Sequence, residues 1–228
     1  MIFEKFLGKI IHRKELSVKH VFALFSFIFI WWAFYRYFPG ILPEWVEELV
    51  LKSLIWLLPT FWLVRKIEKE PFSSLGLTKK NLFPSFYWGL GLGIVFVFEG
   101  LLANILKYRG LRLVSFNYSP WSFLGAVVLS FAIAFSEELV FRGYIFTRLW
   151  RLWKNEWQAN IVSAFLFVLI HLPISVFTLS YAPVVMLAYL FLVFVFGFAS
   201  AFVFARTGNL VSSILLHVFW AWPIVLFR

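Results

Sequence analysis

The chain has 228 residues, of which 62% are hydrophobic and only 14% are charged, and its mean hydropathy is +0.88. Ordinary soluble domains are about 45–50% apolar and about 25% charged, so this composition excludes a water-soluble globular protein and predicts an integral membrane protein. All 11 acidic residues are glutamate and cysteine is absent, which excludes two-aspartate membrane proteases, aspartyl-phosphate pumps, thiolate metal sites and disulfides.

Seven apolar segments follow one another along the chain, each close to the ~20 residues that cross a bilayer as a helix. We therefore predict an all-α polytopic membrane protein with a single domain over residues 1–228. The predicted spans are Val18–Phe38, Val46–Val64, Leu82–Leu106, Trp121–Thr147, Trp157–His171, Pro183–Ala205 and Asn209–Phe227.

The region before the first span has apolar residues at helical spacing from Phe3 to Ile11, and Lys5, Lys9 and Arg13 on much of the opposite face. This pattern predicts an amphipathic helix over residues 1–16 that lies in the membrane interface. A frayed basic tail is the alternative interpretation.

The basic residues are distributed unevenly between the two ends of the predicted spans. The net charge is +10, and 14 of the 21 Lys and Arg residues fall in loops on the same side as the amino terminus, against 5 on the other side. Positive charge collects in cytoplasmic loops, so we predict a cell-membrane protein with its amino terminus in the cytoplasm. Short basic clusters between apolar runs are typical of loops that face anionic lipid, and we expect the lipid bilayer, not nucleic acid, as the partner.

Ionisable side chains inside the spans are candidate functional groups, because charge in a bilayer is costly. At 1.5 Å per helical residue, Glu137 and His217 each lie about 17 Å, and His171 about 22 Å, from a basic or acidic residue at the cytoplasmic ends. We expect these three side chains to converge on one polar cavity near the midplane. Glu99 lies nearer the opposite face and is expected outside the cluster, and Lys52 lies within a predicted span without an assigned role.

Each of these residues also has a purely structural interpretation. Glu138 and Arg142 are four residues apart, so they could form only a neutralising ion pair on one helix face. A single membrane histidine is more often an interhelical hydrogen-bonding residue than a catalyst. The combination of two glutamates, two histidines and one arginine on three helices favours a functional site.

The motifs at these positions resemble those of one protein family. Glu137-Glu138-Leu139-Val140-Phe141-Arg142 has the form EExxxR, Phe167-Val168-Leu169-Ile170-His171 has the form FxxxH, and His217 follows in the last span. In these motifs and their order the chain resembles the CAAX-protease and bacteriocin-processing family of intramembrane endopeptidases, which includes the type II CAAX prenyl proteases. The resemblance covers about residues 72–221, which would form the catalytic region.

The resemblance implies amide hydrolysis in a membrane-embedded cavity accessible from the cytoplasm. It implies that Glu137 is the general base, that His171 helps to hold the attacking water and that His217 donates to the oxyanion. Glu138 and Arg142 would orient these groups. The same three residues, Glu137, His171 and His217, could instead ligate Zn²⁺ with one position open for water, although the metal-free form is favoured. The implied substrate is a membrane-associated peptide or protein, either prenylated or simply apolar.

One position departs from the family pattern. Four residues after His217, where the family usually has an asparagine thought to assist the oxyanion, this chain has Ala221. Two alternatives to an active protease therefore stay open. One is a catalytically weak scaffold or immunity-type membrane protein that binds peptides, and the other is a proton- or cation-coupled transporter, for which Glu99 is the only acidic candidate in the outer half.

Overall fold

The computed structural model describes residues 2–38, 42–112 and 119–226, and all regular secondary structure in these ranges is helical, which confirms the predicted all-α class. The predicted end of the last span at Phe227 lies outside the described residues. The α-helices are α1 (Ile2–Tyr37), α2 (Glu44–Val46), α3 (Leu58–Trp62), α4 (Leu82–Tyr108), α5 (Pro120–Glu138), α6 (Thr147–Trp153), α7 (Glu156–Pro173), α8 (Pro183–Thr207) and α9 (Leu210–Leu226).

All seven predicted spans fall on helical segments of the described chain. Five segments are long and apolar enough to cross a membrane: Val18–Tyr37, Leu82–Leu106, Pro120–Trp153, Glu156–Thr178 and Pro183–Thr207. The apolar part of α9, Leu210–Trp222, is shorter. The remaining segment, residues 44–67, is also helical but irregular.

Widened π-helical turns interrupt three of the membrane segments. They occur at Glu47–Leu51, Ser53–Leu57, Leu63–Ile67, Leu139–Phe146 and Ile174–Thr178. Pro173 directly precedes the turn at Ile174–Thr178, and Pro59 lies two residues after the turn at Ser53–Leu57. The missing N–H of each proline leaves a carbonyl that a local change of helix type can accommodate. π-Helical turns are often found at functional sites, and here the turn at Leu139–Phe146 follows Glu138 directly.

The first span and the helix predicted before it form one continuous helix, α1, of 36 residues. At 1.5 Å per residue α1 is about 54 Å long, well beyond the ~30 Å thickness of a hydrocarbon core. Its apolar part begins at Val18. The side chains of residues 1–17 lie outside the described part of the structure, so their amphipathic face and its position in the interface stay a prediction.

Helix α9, which carries His217, is held against α4 by two glycines. A Cβ atom on Gly89 would lie 2.7 Å from the backbone oxygen of Ser212, and one on Gly93 would lie 2.9 Å from Cβ of Phe219. Such distances leave room for a hydrogen atom only, so the two helices approach closely along this line. The start of α9 is fixed separately, because Asn209 donates 2.8 Å hydrogen bonds to the carbonyl oxygens of Thr78 and Lys80.

The loops predicted to be cytoplasmic meet at one end of the bundle. Arg148 binds Glu68 there through Nη2 at 2.8 Å, and the side-chain amide of Asn81 donates to the carbonyl of Thr207 at 2.8 Å. Arg206 pairs with Glu156. These contacts are consistent with the predicted grouping of loops, while the side of the membrane on which this end lies stays a prediction.

The centre of the bundle is the segment Leu139–Phe146, in which all eight residues are buried. Phe141 packs edge-on against Phe167 of α7 with ring centroids 4.9 Å apart. Because this segment begins directly after Glu137 and Glu138, the core surrounds the candidate site on its inner side.

Candidate active site

Three helices and the π-helical segment Leu139–Phe146, which carries Arg142, bring the predicted site residues together. Glu137 and Glu138 end α5, His171 lies near the end of α7 and His217 lies in the middle of α9. Oε2 of Glu137 is 3.9 Å from Nε2 of His217. Glu137 and His171 both line a cavity of about 80 Å³. The structure therefore places His217 beside Glu137, and Glu137 and His171 on one cavity, whereas His217 itself is not part of the cavity lining.

Glu138 is the most completely bonded carboxylate of the site. Its Oε1 is 2.7 Å from Nδ1 of His217, and its Oε2 accepts a 2.6 Å hydrogen bond from the hydroxyl of Ser200. Nε of Arg142 lies 3.1 Å from the same Oε2. Glu138 is fully buried and does not line the cavity. It therefore fixes the orientation of the His217 ring and leaves Nε2 directed towards Glu137.

Arg142 is held by the core on all sides. Its Nη2 donates to the carbonyl of Gly197 at 3.2 Å, and its guanidinium lies 4.3 Å from the ring centroid of Phe167. With 1% of its surface exposed, it is a counter-charge for Glu138 and not a group that a substrate could reach. This geometry agrees with the orienting role that the resemblance implies for Glu138 and Arg142.

His171 has one nitrogen engaged and one available. Nδ1 is 2.7 Å from the carbonyl oxygen of Phe167, one helical turn earlier, and must be protonated to make that bond. In the neutral ring Nε2 is then an acceptor. No described residue donates to it, so it can accept a hydrogen bond from a water in the cavity.

Lys52 is a site residue to which the sequence analysis gave no role. Its Nζ is 2.6 Å from Oε1 of Glu137 and 2.6 Å from Oε2 of Glu48, and only 2% of the residue is exposed. Arg36 lies beyond this pair and contacts Glu47 and Glu48. In the sequence, the indication of a role for Lys52 was its position four residues after Glu48 in a predicted span. The contact with Glu137 could not be predicted from the sequence, because the two residues are 85 positions apart and lie on different helices.

Glu99 stays outside the cluster, as expected. It lies on α4 and makes no hydrogen bond or ion pair with any residue that the structure describes. A through-going line of acidic residues, which a coupled transporter would need, gains no support from this position.

The cavity lies towards the end of the bundle opposite the basic loops. Its lining includes Arg36 near the end of α1, Glu48 near the start of the second segment and Ile174 beyond the end of α7. The charge distribution assigns this end to the outside. The two predictions, a cytoplasmic amino terminus and a cavity accessible from the cytoplasm, therefore do not agree with each other in this structure.

As the structure places them, Glu137, His171 and His217 do not form a zinc site. In the described ranges no group of three His or acidic side chains is arranged to hold a metal ion. Glu137 already contacts the Lys52 ammonium at 2.6 Å, and a divalent cation on the same carboxylate would be repelled by it.

The comparison with protein families bears on this site, in which Glu137 and His171 line the cavity and Glu138 and His217 lie behind Glu137. Residues 119–223 match the model of the family described as Type II CAAX prenyl endopeptidase, Rce1-like. The match confirms the resemblance seen in the motifs and covers just under half of the chain. No curated protein and no solved structure matches the chain.

The Rce1-like region contains some parts of the candidate site and lacks others. Glu137, His171 and His217 fall inside it, whereas Lys52 and Glu48 come from the preceding part of the chain. At the level of the family, the match supports an intramembrane endopeptidase whose substrates are membrane-associated prenylated peptides. Together with the apolar helices, it supports an integral membrane protein.

Proposed function

We propose that the protein is an intramembrane endopeptidase that hydrolyses a peptide bond with Glu137 as general base. The observation that carries this proposal is the shared cavity of Glu137 and His171, with His217 beside Glu137, all three within the region that matches the Rce1-like family. Ionisable groups at this depth are costly to keep, and neither Oε2 of Glu137 nor Nε2 of His171 is hydrogen-bonded by a described residue. Because both residues line the same cavity, one water between these two atoms is the arrangement that the proposal requires.

In this mechanism the water binds to Oε2 of Glu137 and to Nε2 of His171. Glu137 accepts a proton from the water as its oxygen attacks the carbonyl carbon of the scissile bond. The carbonyl electron pair moves to oxygen, and Nε2 of His217 donates to that oxyanion. When the intermediate collapses, Glu137 returns the proton to the departing amine.

His217 can donate to the oxyanion only when its Nε2 carries a proton. Because Nδ1 and Oε1 of Glu138 share one proton in their 2.7 Å hydrogen bond, the pair must hold a second proton for Nε2 to donate. Arg142, which lies 3.1 Å from Glu138, balances the carboxylate charge in this pair. Glu138 and Arg142 are thus positioning residues that act through His217.

We propose the metal-free form of the reaction. Its support is the Lys52 ammonium on Glu137, which supplies the positive charge that a metal would otherwise bring to the carboxylate. A peptide would enter from the end of the bundle where α1 ends, because the cavity lies there.

The test is a cleavage assay on the full chain in liposomes. Substrates are a prenylated CAAX-type peptide, the same peptide without the prenyl group and a panel of apolar peptides, each with and without a chelator. We expect cleavage of at least one peptide, loss of cleavage in Glu137→Gln and no effect of the chelator. Cleavage abolished by the chelator and restored by zinc would overturn the metal-free form.

A second candidate function is a peptide-binding scaffold with little activity. Ala221 favours it, since the asparagine that the family usually carries at this position is missing. The same peptides distinguish the two functions. A scaffold would bind them without cleavage, and wild type and Glu137→Gln would then bind them alike.

A further inference from the structure

The part of the chain before the Rce1-like region contributes a cation to the candidate site. Nζ of Lys52 is bonded to Glu137 and to Glu48, at 2.6 Å in both cases. An ammonium group has three N–H donors, and these carboxylates use two of them. The third donor is available to a group in the cavity that Lys52 lines together with Glu137 and His171.

Lys52 is fixed firmly in this position. The indole rings of Trp32 and Trp56 lie 5.4 and 5.1 Å from Nζ, and ring faces at such distances attract a cation. Trp56 is itself 1% exposed. The ammonium is therefore held by two carboxylates and two aromatic rings, with little freedom to leave the cavity wall.

Lys52 and His217 lie on opposite oxygens of the same carboxylate. Nζ of Lys52 contacts Oε1 of Glu137, and Nε2 of His217 is 3.9 Å from Oε2. A carbonyl attacked by a water bound to Glu137 would thus have one cationic donor on one side and the imidazole on the other.

We propose that Lys52 is a catalytic residue whose ammonium donates the second hydrogen bond to the oxyanion, alongside His217. This inference rests on the proposed function. Ala221, one helical turn after His217, has no polar atom to fill that role. Lys52 supplies the donor from another helix, and it donates without the two-proton condition that applies to His217.

The movement of charge during the reaction is consistent with this role. Before attack the negative charge is on Glu137, and Lys52 contacts it. As Glu137 takes the water proton, its charge is neutralised, and an equal negative charge develops on the former carbonyl oxygen. Lys52 stays beside a negative charge throughout, so little reorganisation is needed when the oxyanion forms.

The test is a four-member cycle of wild type, Lys52→Met, Ala221→Asn and the double variant, assayed with the cleaved peptide. Removing one oxyanion donor costs about 10²–10³ in turnover, so we expect Lys52→Met to lower kcat about 100-fold, with KM changed by less than about threefold. We expect Ala221→Asn to raise kcat by no more than about threefold in wild type and by at least about tenfold in Lys52→Met.

A second set of variants distinguishes a loss of catalysis from a loss of folding. Lys52→Met leaves two adjacent carboxylates without a counter-charge, whereas Lys52→Met with Glu48→Gln preserves the net charge of the cluster. The cycle is repeated in this charge-matched background, and the folded fraction is measured by thermal unfolding.

Several outcomes would overturn the inference. One is a folded Lys52→Met protein, in either background, with kcat near that of wild type. Another is an Ala221→Asn effect of equal size with and without Lys52, because the two donors would then be independent. Full activity of Glu137→Gln would instead refute the proposed function, and a chain that cleaves no peptide with either residue at 221 would refute both.

Discussion

Two buried ionic clusters lie on the same stretch of helix, and they differ in how completely their polar atoms are bonded. In the cluster around Glu68, Tyr144 donates to one carboxylate oxygen at 2.7 Å and Nε of Arg148 to the other at 2.9 Å. The two amino groups of Arg148 donate to the carbonyl and hydroxyl oxygens of Ser74, both at 3.1 Å. All three nitrogens of this guanidinium therefore donate within the protein, and the buried atom of this cluster without a hydrogen-bond partner among the described residues is Nδ1 of His20, 3.6 Å from Glu68.

The cluster around Glu137 is incompletely bonded. Oε2 of Glu137 accepts no hydrogen bond from a described residue, and the His217 nitrogen lies 3.9 Å from it. A cavity adjoins this cluster, and Glu137, Lys52 and His171 line it. Buried charge that is fully matched serves the fold, whereas unmatched atoms beside a cavity remain available to water and substrate. The comparison therefore indicates a structural role for the cluster around Glu68 and supports the chemistry that we propose for the cluster around Glu137.

The largest effect expected is the loss of turnover in Glu137→Gln. The amide preserves the shape of the side chain but cannot accept the water proton, so we expect kcat to fall by a factor of about 10²–10⁴. Thermal unfolding should stay near wild type, because Lys52 keeps its 2.6 Å contact with Glu48. Glu99→Gln is the matched control, since it removes a membrane carboxylate that has no ion-pair or hydrogen-bond partner among the described residues. Cleavage by Glu137→Gln at the wild-type rate would contradict a catalytic role for the cluster around Glu137.

Glu138→Gln should lose stability as well as activity. Glu138 is fully buried and contacts Arg142, Ser200 and His217, so its neutralisation leaves a buried arginine without a counter-charge. Breaking a buried ion pair typically costs about 3–5 kcal/mol, and we expect a loss of free energy of unfolding in this range. Equal thermal stability of Glu137→Gln and Glu138→Gln would contradict the division of roles.

Arg148→Met should affect stability alone. We expect a loss of about 3 kcal/mol in the free energy of unfolding, because Glu68 is left buried without its cation. The kcat of the folded fraction should stay within about threefold of wild type. Arg151→Met serves as the control: its 3.7 Å pair with Glu70 is half-exposed, and such pairs contribute about 0–1 kcal/mol. A large fall in kcat for folded Arg148→Met would show that this cluster also serves the reaction.

The smallest effect concerns the connection between the two clusters. A Cβ atom on Gly143 would lie 2.7 Å from the carbonyl oxygen of Leu75, next to the Ser74 that binds Arg148. Since backbone must move, we expect Gly143→Ala to destabilise the protein by about 1–3 kcal/mol. Gly91→Ala, where nothing lies within 4 Å, should be neutral or slightly stabilising. The two glycines are compared by thermal unfolding, and similar shifts would mean that the Leu75 contact is unimportant.

The residues predicted from the sequence are those whose relation is local or measured along a helix. Glu138 and Arg142 are four residues apart, and the depths of Glu137, His171 and His217 follow from helical rise, so their convergence could be anticipated. The Lys52–Glu137 contact depends on how two distant helices pack, which no spacing encodes. The widened turns in residues 44–67 and the continuity of α1 were missed for a related reason, because tertiary packing decides helix type and length there.

The small size of the cavity has a consequence for how the protein would meet its substrate. About 80 Å³ holds a few water molecules, far less than the roughly 300–1,000 Å³ of sites that enclose small ligands. An extended peptide needs about 3.3 Å of length per residue, so it enters only if the surrounding helices separate. Helix separation in a bilayer displaces lipid, and turnover should therefore vary with acyl-chain length and membrane fluidity even when the chemical step is unchanged. The bilayer would then help to control the access of substrate to the cavity.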